Sequence, residues 1–325
     1  MSTTLIYYAD AIREALRHEM KRDEKVVLLG EDIALYGGSF GVTRGLFDEF
    51  GAKRVVNTPI SEGGFTGVAV GAALTGLRPV VEYMFMDFIA LASDQIVNHG
   101  AKFREIYGEQ AKVPIVFRAA AGAGRSYGAT HSQMLEGWFM HIPGLKVVAP
   151  AFCDDAYGLL ISAIRDDNPV LVVEHKDLYK VRMPFDAETE AIPFGLARTV
   201  RSGSDVVIFS YSKMVHTSAL AAVELEKEGI SAEVIDLRSL RPLDRETIGE
   251  AVSRCGKAVI VTESMQTAGP AAEIMSVIME EAFDFLDAPV IRISTKEIAI
   301  PFAPHLEKET VPTVSQIVAK VKTLF

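Results

Sequence analysis

The sequence predicts an α/β fold with two doubly wound domains. Short runs of β-branched residues alternate with segments of helical periodicity along the whole chain, which is typical of parallel strands joined by crossover helices. Several of these runs are apolar on both faces, as expected for a parallel sheet that helices cover on both sides. With 325 residues, of which 49% are hydrophobic, the chain is long enough for two domains with separate cores.

The first part of the chain alternates strands and helices in a regular order. Its strands are predicted at residues 26–29, 54–57, 79–83, 114–118, 145–148 and 170–173, where β-branched and aliphatic residues cluster. Its helices are predicted at residues 9–21, 63–77, 87–107, 132–141 and 154–165. This order fits a doubly wound sheet.

A break in periodicity separates the two predicted domains. Between residues 176 and 204 the pattern lapses, and Pro184, Pro193 and the acidic run 186–190 occur there. We therefore predict a first domain at residues 1–185, a linker at 186–200 and a second α/β domain at 201–325. The second domain has predicted strands at 205–210, 232–236, 258–262 and 289–293, and predicted helices at 214–228, 244–254, 271–281 and 314–322.

Composition excludes several classes of function. The net charge is -10, from 33 Lys and Arg against 43 Asp and Glu, so nucleic acid would have to bind against the overall field. The N-terminus has no basic region followed by an apolar core, and no apolar stretch approaches the ~20 residues that span a bilayer. We expect a cytoplasmic protein without membrane contact, in which Cys153 and Cys255 are reduced thiols.

Glu62 is the first candidate for a functional residue. It lies between the predicted strand 54–57 and the predicted helix 63–77, and ligands of open α/β sheets bind at such junctions. The alternative is structural, because an acid at a helix N-terminus is favoured by the helix macrodipole.

The helix that follows Glu62 is unusually rich in glycine. Gly63, Gly67 and Gly71 recur every four residues, so they share one face of the helix. Each glycine costs roughly 1 kcal/mol relative to alanine in a helix, and a close approach of another backbone would offset that cost.

Two further regions supply candidate residues. Glu31 and Asp32 follow the predicted strand 26–29 and add carboxylates at the same sheet edge, unless they belong to a solvated loop. His131 is expected to head the predicted helix 132–141, where a histidine can reach a cleft and titrate near neutral pH, or simply cap the helix.

The chain has no recognisable phosphate anchor. Gly122, Gly124 and Gly128 follow a predicted strand, but the third glycine is one position late for G-x-G-x-x-G. The sequence also contains no G-x-x-x-x-G-K-[ST] loop, no H-E-x-x-H and no G-x-S-x-G. It further contains no Gly-Asp-Gly followed by Asn, the pattern that binds magnesium and diphosphate in thiamin enzymes.

An ordered set of motifs resembles the β subunit of the heterotetrameric 2-oxo acid dehydrogenases, the thiamin diphosphate-dependent component that acts on pyruvate, branched-chain 2-oxo acids or acetoin. The motifs extend over nearly the whole chain. They are Leu29-Gly30-Glu31-Asp32, Asp48 to Gly51, Thr58 to Gly64, Gly76-Leu77-Arg78-Pro79, Asp94-Gln95-Ile96 with Asn98, Val113 to Val116, His131-Ser132-Gln133, Pro143-Gly144-Leu145, Asn168-Pro169 and Asp236-Leu237-Arg238 with Pro242.

The resemblance implies a division of labour between two chains. The N-terminal domain would bind the aminopyrimidine half of thiamin diphosphate, and a separate α subunit would bind the diphosphate and Mg2+. The C-terminal domain would resemble the transketolase C-terminal domain, support an α2β2 heterotetramer and dock the lipoyl-bearing acyltransferase core. The glycine face of the helix after Glu62 would then lie at a subunit contact.

The resemblance also implies roles for single residues. Glu62 corresponds to the glutamate that activates the cofactor through a ring nitrogen of the aminopyrimidine, and Phe88 to the aromatic residue that stacks on that ring. Further cofactor-binding residues would be Glu31, Ile60 and Met84. His131 corresponds to the histidine that handles protons during acyl transfer to lipoamide. A structural potassium ion would be bound by the backbone carbonyls of Ile115, Ala163, Ile164, Asp166 and Asn168.

These implications lead to one main function and several alternatives. We expect an enzyme subunit that acts with an α subunit on pyruvate or acetoin and passes the acyl group to lipoamide. A branched-chain 2-oxo acid is an alternative substrate. A carboligase of transketolase type is a second alternative, for which the chain is short. An inactive assembly subunit is a third, which the joint presence of Glu62, Phe88 and His131 disfavours.

Overall fold

The protein is described by a computed structural model at residues 4–186 and 188–325, with the side chain of residue 109 left out. Residues 1–3 of the predicted first domain and residue 187 of the predicted linker lie outside the described residues. The chain divides into two compact units, one of residues up to 121 with 139–194, the other of residues 122–138 with 195–325. The division at 194/195 falls inside the predicted linker 186–200, whereas residues 122–138 leave the predicted domain 1–185 and join the second unit.

A parallel sheet forms the centre of the first unit. The strands of this unit are β1 (Thr4–Tyr7), β2 (Val26–Gly30), β3 (Val55–Asn57), β4 (Arg78–Tyr83), β5 (Val116–Ala121), β6 (Lys146–Val148), β7 (Val170–His175) and β8 (Arg182–Phe185). Neighbours in the sheet follow the order β6, β7, β5, β4, β2, β3, and each pair is parallel. Strands β1 and β8, which the sequence pattern did not predict, form a separate antiparallel pair.

Helices cover the sheet because their apolar residues are spaced to form one face. The helices from residue 8 to residue 165 are α1 (Tyr8–Arg22), α2 (Leu46–Phe50), α3 (Glu62–Leu74), α4 (Phe103–Tyr107), α5 (Glu136–Met140) and α6 (Cys153–Arg165). In α1, the buried residues Ala11, Ile12, Ala15 and Leu16 repeat at helical spacing, and this face packs against α6.

The prediction of one helix at residues 87–107 is wrong. The segment forms a 3-10 helix (Met86–Ala92), a π-helical turn (Gln95–Gly100) and the short helix α4. At the break, the side chains of Gln95 and Asn98 donate to the Asp94 carboxylate at 3.0 and 2.8 Å. These bonds join side chains around the point where the segment changes from one helical geometry to another.

The predicted helix 132–141 is also wrong in its first half, because α5 begins at Glu136. The carbonyl oxygens that would start such a helix have other donors. The Gln133 oxygen accepts from the Gly122 N–H at 3.4 Å, and the Met134 oxygen accepts from the Ser264 hydroxyl at 3.3 Å.

The second unit repeats the architecture on a smaller scale. Its strands are β9 (Arg198–Arg201), β10 (Val206–Ser210), β11 (Ala232–Asp236), β12 (Ser239–Arg241), β13 (Ala258–Met265) and β14 (Ile291–Thr295). Its helices are α7 (Lys213–Lys227), α8 (Arg245–Cys255), α9 (Pro270–Ala282), α10 (Pro304–Thr310) and α11 (Val314–Val321). The sheet order is β14, β13, β10, β11, β9, parallel except at β9. The predicted α/β class with two wound domains is confirmed.

Among residues 4–186 and 188–325, no helix combines the length and the apolar character that crossing a membrane requires.

A buried ionic network joins three strands of the first unit. Arg118 on β5 donates to Glu82 on β4 at 2.7 Å and makes two bonds to Glu174 on β7 at 2.7 and 2.8 Å. The Arg118 side chain is 2% exposed. Burial raises the pKa of Glu82, while the Arg118 guanidinium opposes that rise. The guanidinium is therefore the cationic partner of two carboxyl groups inside the protein.

We expect Arg118→Met to lower the free energy of unfolding by about 3 to 5 kcal/mol, because it leaves two buried carboxylates without their cation. Urea unfolding of the isolated chain measures this loss. The matched control is Arg17→Met, since Arg17 pairs with the partly exposed Glu14 and Glu49. The control should lose no more than about 1 kcal/mol. Equal losses in both variants would contradict the assignment of the network as a structural requirement.

Candidate active site

Glu62 lies where the sequence places it, at the junction of a strand and a helix. Strand β3 ends at Asn57, and Glu62 is the first residue of α3. The loop between them is tied to the neighbouring strand, because the Thr58 N–H donates to the Gly30 carbonyl at 2.9 Å. The side chain is 5% exposed, so its carboxylate is held at the positive end of the helix and largely out of water.

Glu31 reaches the same place from the next strand. It follows β2, whose last residue Gly30 pairs with Asn57 at the end of β3. Burial, followed by the charges of Glu62 and Asp32, raises the pKa of Glu31 to about 7, against a hydrogen bond from the Ser61 N–H that lowers it. The structure thus brings the two predicted acids together.

The acid pair leaves one acceptor unused. Glu31 is 3% exposed, and its Oε1 atom has no hydrogen-bond partner among residues 4–186 and 188–325. A buried acceptor without a donor is costly, and its cost is relieved when a ligand brings an N–H group to it. A heterocycle with a ring nitrogen and an amino group would suit this pair of carboxylates.

The remaining predicted cofactor-binding residues are aromatic or apolar. Phe88 is half-buried in the 3-10 helix Met86–Ala92, which packs against α3. Its ring contacts Phe85 edge to face, with centroids 5.9 Å apart. Met84 is also half-buried, whereas the Ile60 side chain is 80% exposed. The segment that carries Phe88 can therefore offer a ring surface beside the helix that begins at Glu62.

The sequence interpretation missed two residues of this region. Tyr83, at the carboxyl end of β4, shares a hydrogen bond of 2.7 Å with Thr66 on α3. Burial raises the pKa of Tyr83, and the negative charge of Glu62 raises it further. The available signal was the spacing, since Thr66 lies one helical turn after Glu62.

The glycine face of α3 is partly covered by the chain itself. A Cβ atom on Gly63 would lie 3.1 Å from the Leu91 carbonyl oxygen, and one on Gly67 would lie 3.0 Å from the Gln95 side-chain oxygen. A Cβ atom on Gly71 would meet nothing within 4 Å in the described part of the chain. Gly63 therefore faces a backbone oxygen of its own chain, whereas Gly67 faces a side-chain oxygen. The predicted subunit contact of this face stays a prediction.

His131 belongs to the second unit. It does not head a helix, as the sequence predicted, but lies in an irregular segment before α5. Its N–H donates to the Gly128 carbonyl at 3.3 Å, and its Nδ1 atom lies 3.0 Å from the Thr130 hydroxyl. The ring is half-buried. His131 therefore does not cap a helix, which was the structural alternative for this residue.

The predicted potassium ligands lie near an arginine. The Arg78 side chain donates to the carbonyl oxygens of Ile164 and Asp166, both at 2.8 Å, and the Ile115 oxygen accepts from the Val170 N–H at 3.0 Å. The Asn168 N–H donates to the Asp166 carboxylate at 2.8 Å. Each carbonyl oxygen has a second lone pair, so the potassium site with Ala163 stays a prediction.

Comparisons with known proteins identify the family of the chain. A family model for the transketolase pyrimidine binding domain matches residues 5–182, and one for the transketolase C-terminal domain matches residues 195–317. The chain is 47% identical over 313 residues to the pyruvate dehydrogenase E1 component subunit beta of Rickettsia felis, with 96% of each chain covered. It is 47% identical over 317 residues to the mitochondrial subunit beta-2 of Oryza sativa, covering 96% of this chain and 84% of that one.

A solved structure supports the transketolase-like fold. The chain superposes on a split-gene transketolase, an inactive beta4 tetramer, with a TM-score of 0.80, 25% identity and 98% of both chains covered. Identity to the pyruvate dehydrogenase subunits is nearly twice as high. The chain belongs to the family of pyruvate dehydrogenase E1 component beta subunits.

Proposed function

We propose that this chain, together with an α subunit, forms a thiamin diphosphate-dependent 2-oxo acid dehydrogenase that decarboxylates pyruvate and passes the acyl group to lipoamide. The buried pair of Glu31 and Glu62, with an unused acceptor on Glu31, is the observation that carries the proposal. The names of the relatives and the match to a pyrimidine-binding domain favour this substrate and cofactor.

The residues of the first unit fit the aminopyrimidine half of the cofactor. Glu62 would share a proton with a ring nitrogen, and the Oε1 atom of Glu31 would accept from an N–H group. Phe88 and Met84 would contact the flat faces of the ring, with Ile60 at the exposed side. When bound, thiamin diphosphate supplies the nucleophilic carbon and the electron sink for decarboxylation.

The protonation of Glu31 suits this arrangement. With its pKa raised to about 7, Glu31 can exchange a proton near neutral pH. A carboxyl group that gains and loses a proton near the working pH can hold a proton for its neighbour. His131, on a segment of the second unit, would donate or accept the proton needed when the acyl group moves to lipoamide.

Partner chains complete the proposal. An α subunit in an α2β2 heterotetramer would hold the diphosphate and its Mg2+, and the second unit would dock the lipoyl-bearing acyltransferase core. The related split-gene transketolase is inactive as a beta4 tetramer, which supports a need for a second type of chain. Potassium bound by the backbone carbonyls of Ile115, Ala163, Ile164, Asp166 and Asn168 would be structural.

We expect the isolated chain to bind thiamin diphosphate weakly, because it supplies the pyrimidine side of the site and a partner supplies the diphosphate side. Calorimetry with Mg2+ present measures this affinity, and addition of the α subunit should restore tight binding. Micromolar or tighter binding to the pure chain would refute the proposed division of labour.

Glu62→Gln should slow cofactor activation by on the order of 10²- to 10⁴-fold, because an amide keeps the size of the side chain but cannot share its proton in the same way. Deuterium exchange at the thiazolium carbon in the reconstituted α2β2 complex measures this step. The melting temperature should change little, since glutamine can still donate and accept hydrogen bonds. Glu24→Gln, at an exposed position of the same unit, is the matched control. A wild-type exchange rate in Glu62→Gln would make Glu62 a helix-start acid.

His131→Ala should reduce lipoamide-dependent turnover by roughly 10²- to 10⁴-fold, the usual effect of removing a general acid or base. Cofactor affinity of the complex, measured in parallel, should change far less. If turnover stays within about threefold of wild type, a role for His131 in acyl transfer is excluded.

A further inference from the structure

Two buried carboxylates hold the loop that leads to His131. Glu307 on α10 accepts from the Gly124 N–H at 2.8 Å and from the Ser126 N–H at 2.9 Å, with the Ser126 hydroxyl at 3.4 Å. Glu263 on β13 accepts from the Ala123 N–H at 2.6 Å. Glu307 is 3% exposed and Glu263 is 5% exposed. All of these residues belong to the second unit.

The backbone of this loop explains why it needs carboxylates. Gly122, Gly124 and Gly128 have φ of 90°, 105° and 78°, and Ser126 has φ of 56° although it is not a glycine. Alternation into the left-handed region turns successive N–H groups toward one side, where they form a nest for an anion. Two carboxylates occupy that side here, so the loop conformation depends on them.

Glu307 is itself held firmly. Its N–H donates to the Ala303 carbonyl at 2.9 Å, and its carbonyl accepts from the Thr310 hydroxyl at 2.6 Å. The Thr310 carbonyl in turn accepts from the Lys296 N–H at 2.9 Å. The carboxylate is therefore presented from a fixed turn, which suits a group that positions another segment.

The same region also contacts the second half of the loop. A Cβ atom on Gly128 would lie 3.7 Å from the Cβ atom of Phe302, and the Gly128 carbonyl accepts from the His131 N–H. Contacts from residues 302–307 thus reach both Ser126 and Gly128, on the path to His131. A displacement of the Glu307 side chain would therefore displace the loop, and with it His131.

We propose that Glu307 is a positioning residue for His131: its carboxylate fixes the loop at residues 122–128 and thereby places the imidazole for the lipoamide step. The inference rests on the proposed function of His131. It assigns a role in the reaction to a residue of α10 that does not itself meet the substrate.

The test compares four variants of the full chain: Glu307→Gln, Glu309→Gln, His131→Ala and the double variant His131→Ala with Glu307→Gln. Glu309 is exposed on the same helix, so its isosteric change is the matched control. Amide hydrogen exchange of residues 122–131 in the isolated chain reports the loop directly. In the complex with the α subunit, lipoamide-dependent turnover is compared with pyruvate oxidation by a dye acceptor, which requires no lipoamide.

In Glu307→Gln, we expect loop amides to exchange at least about tenfold faster. Lipoamide-dependent turnover should fall by about 10- to 100-fold, the usual size of a misplacement effect, with dye-linked oxidation within about threefold of wild type. The lipoamide-dependent turnover of the double variant should lie within about threefold of that of His131→Ala. If Glu307 acts only through His131, its loss has no further effect once the imidazole has been removed. Glu309→Gln should behave as wild type.

Unchanged loop exchange in Glu307→Gln, or losses that multiply in the double variant, would overturn the positioning role. Failure of the proposed function gives a different result, since His131→Ala alone would then keep its lipoamide turnover. If Glu307→Gln does not fold, Glu307→Asp replaces it, because it keeps the charge and withdraws the carboxylate by one methylene. The same pattern of exchange and turnover is expected from it, and wild-type values in that variant would overturn the inference.

Discussion

The parallel pairing of β2 with β3 is the constraint on which the candidate site depends. Because Gly30 and Asn57 are partners at the ends of these strands, the segments that follow must leave the sheet side by side. Each segment carries an acid, and the Thr58 N–H bound to the Gly30 carbonyl fixes the second segment to the first. Burial at this edge, together with the nearby charges of Glu62 and Asp32, raises the pKa of Glu31 to about 7. This arrangement follows from strand register.

The interior of the first unit contains a network of charged and polar side chains. Arg118 joins Glu82 and Glu174 across three strands, and the Tyr179 hydroxyl donates to Glu174 at 2.8 Å. Phe85, which contacts Phe88, lies with its ring 5.1 Å from the Lys176 ammonium. The aromatic residues beside the site thus contact charged side chains. The neighbouring buried network has its hydrogen bonds made, and such a network is rigid.

Much of this arrangement could be predicted from the sequence, for a physical reason. Strand and helix periods are local, and the ends of parallel strands meet at one edge of a sheet, so Glu31 and Glu62 could be placed together. The network of Arg118 could not, because its partners are 36 and 56 residues away and no local pattern marks them. The helix predicted at 87–107 was wrong because the periodicity of apolar residues does not distinguish one continuous α-helix from the 3-10, π-helical and α-helical turns found there. The surroundings of His131 were unpredictable for a third reason, since residues 122–138 leave one unit and join the other.

Carboxylates perform opposite tasks in the two units, and hydrogen bonding decides which. Glu31 has a single backbone donor and a free Oε1 atom, so burial dominates and the group takes up a proton near neutral pH. Glu307 accepts from two backbone N–H groups, an arrangement that fixes the donors around it. The first kind of acid suits proton exchange with a ligand, whereas the second suits the placement of a loop.

Glycines supply the backbone geometry in both units: Gly63 and Gly67 admit close neighbours to α3, and Gly122 and Gly124 turn N–H groups toward an acid. Acidic and glycine residues, which composition alone would assign to surface and turns, therefore shape both the acid pair and the loop before His131.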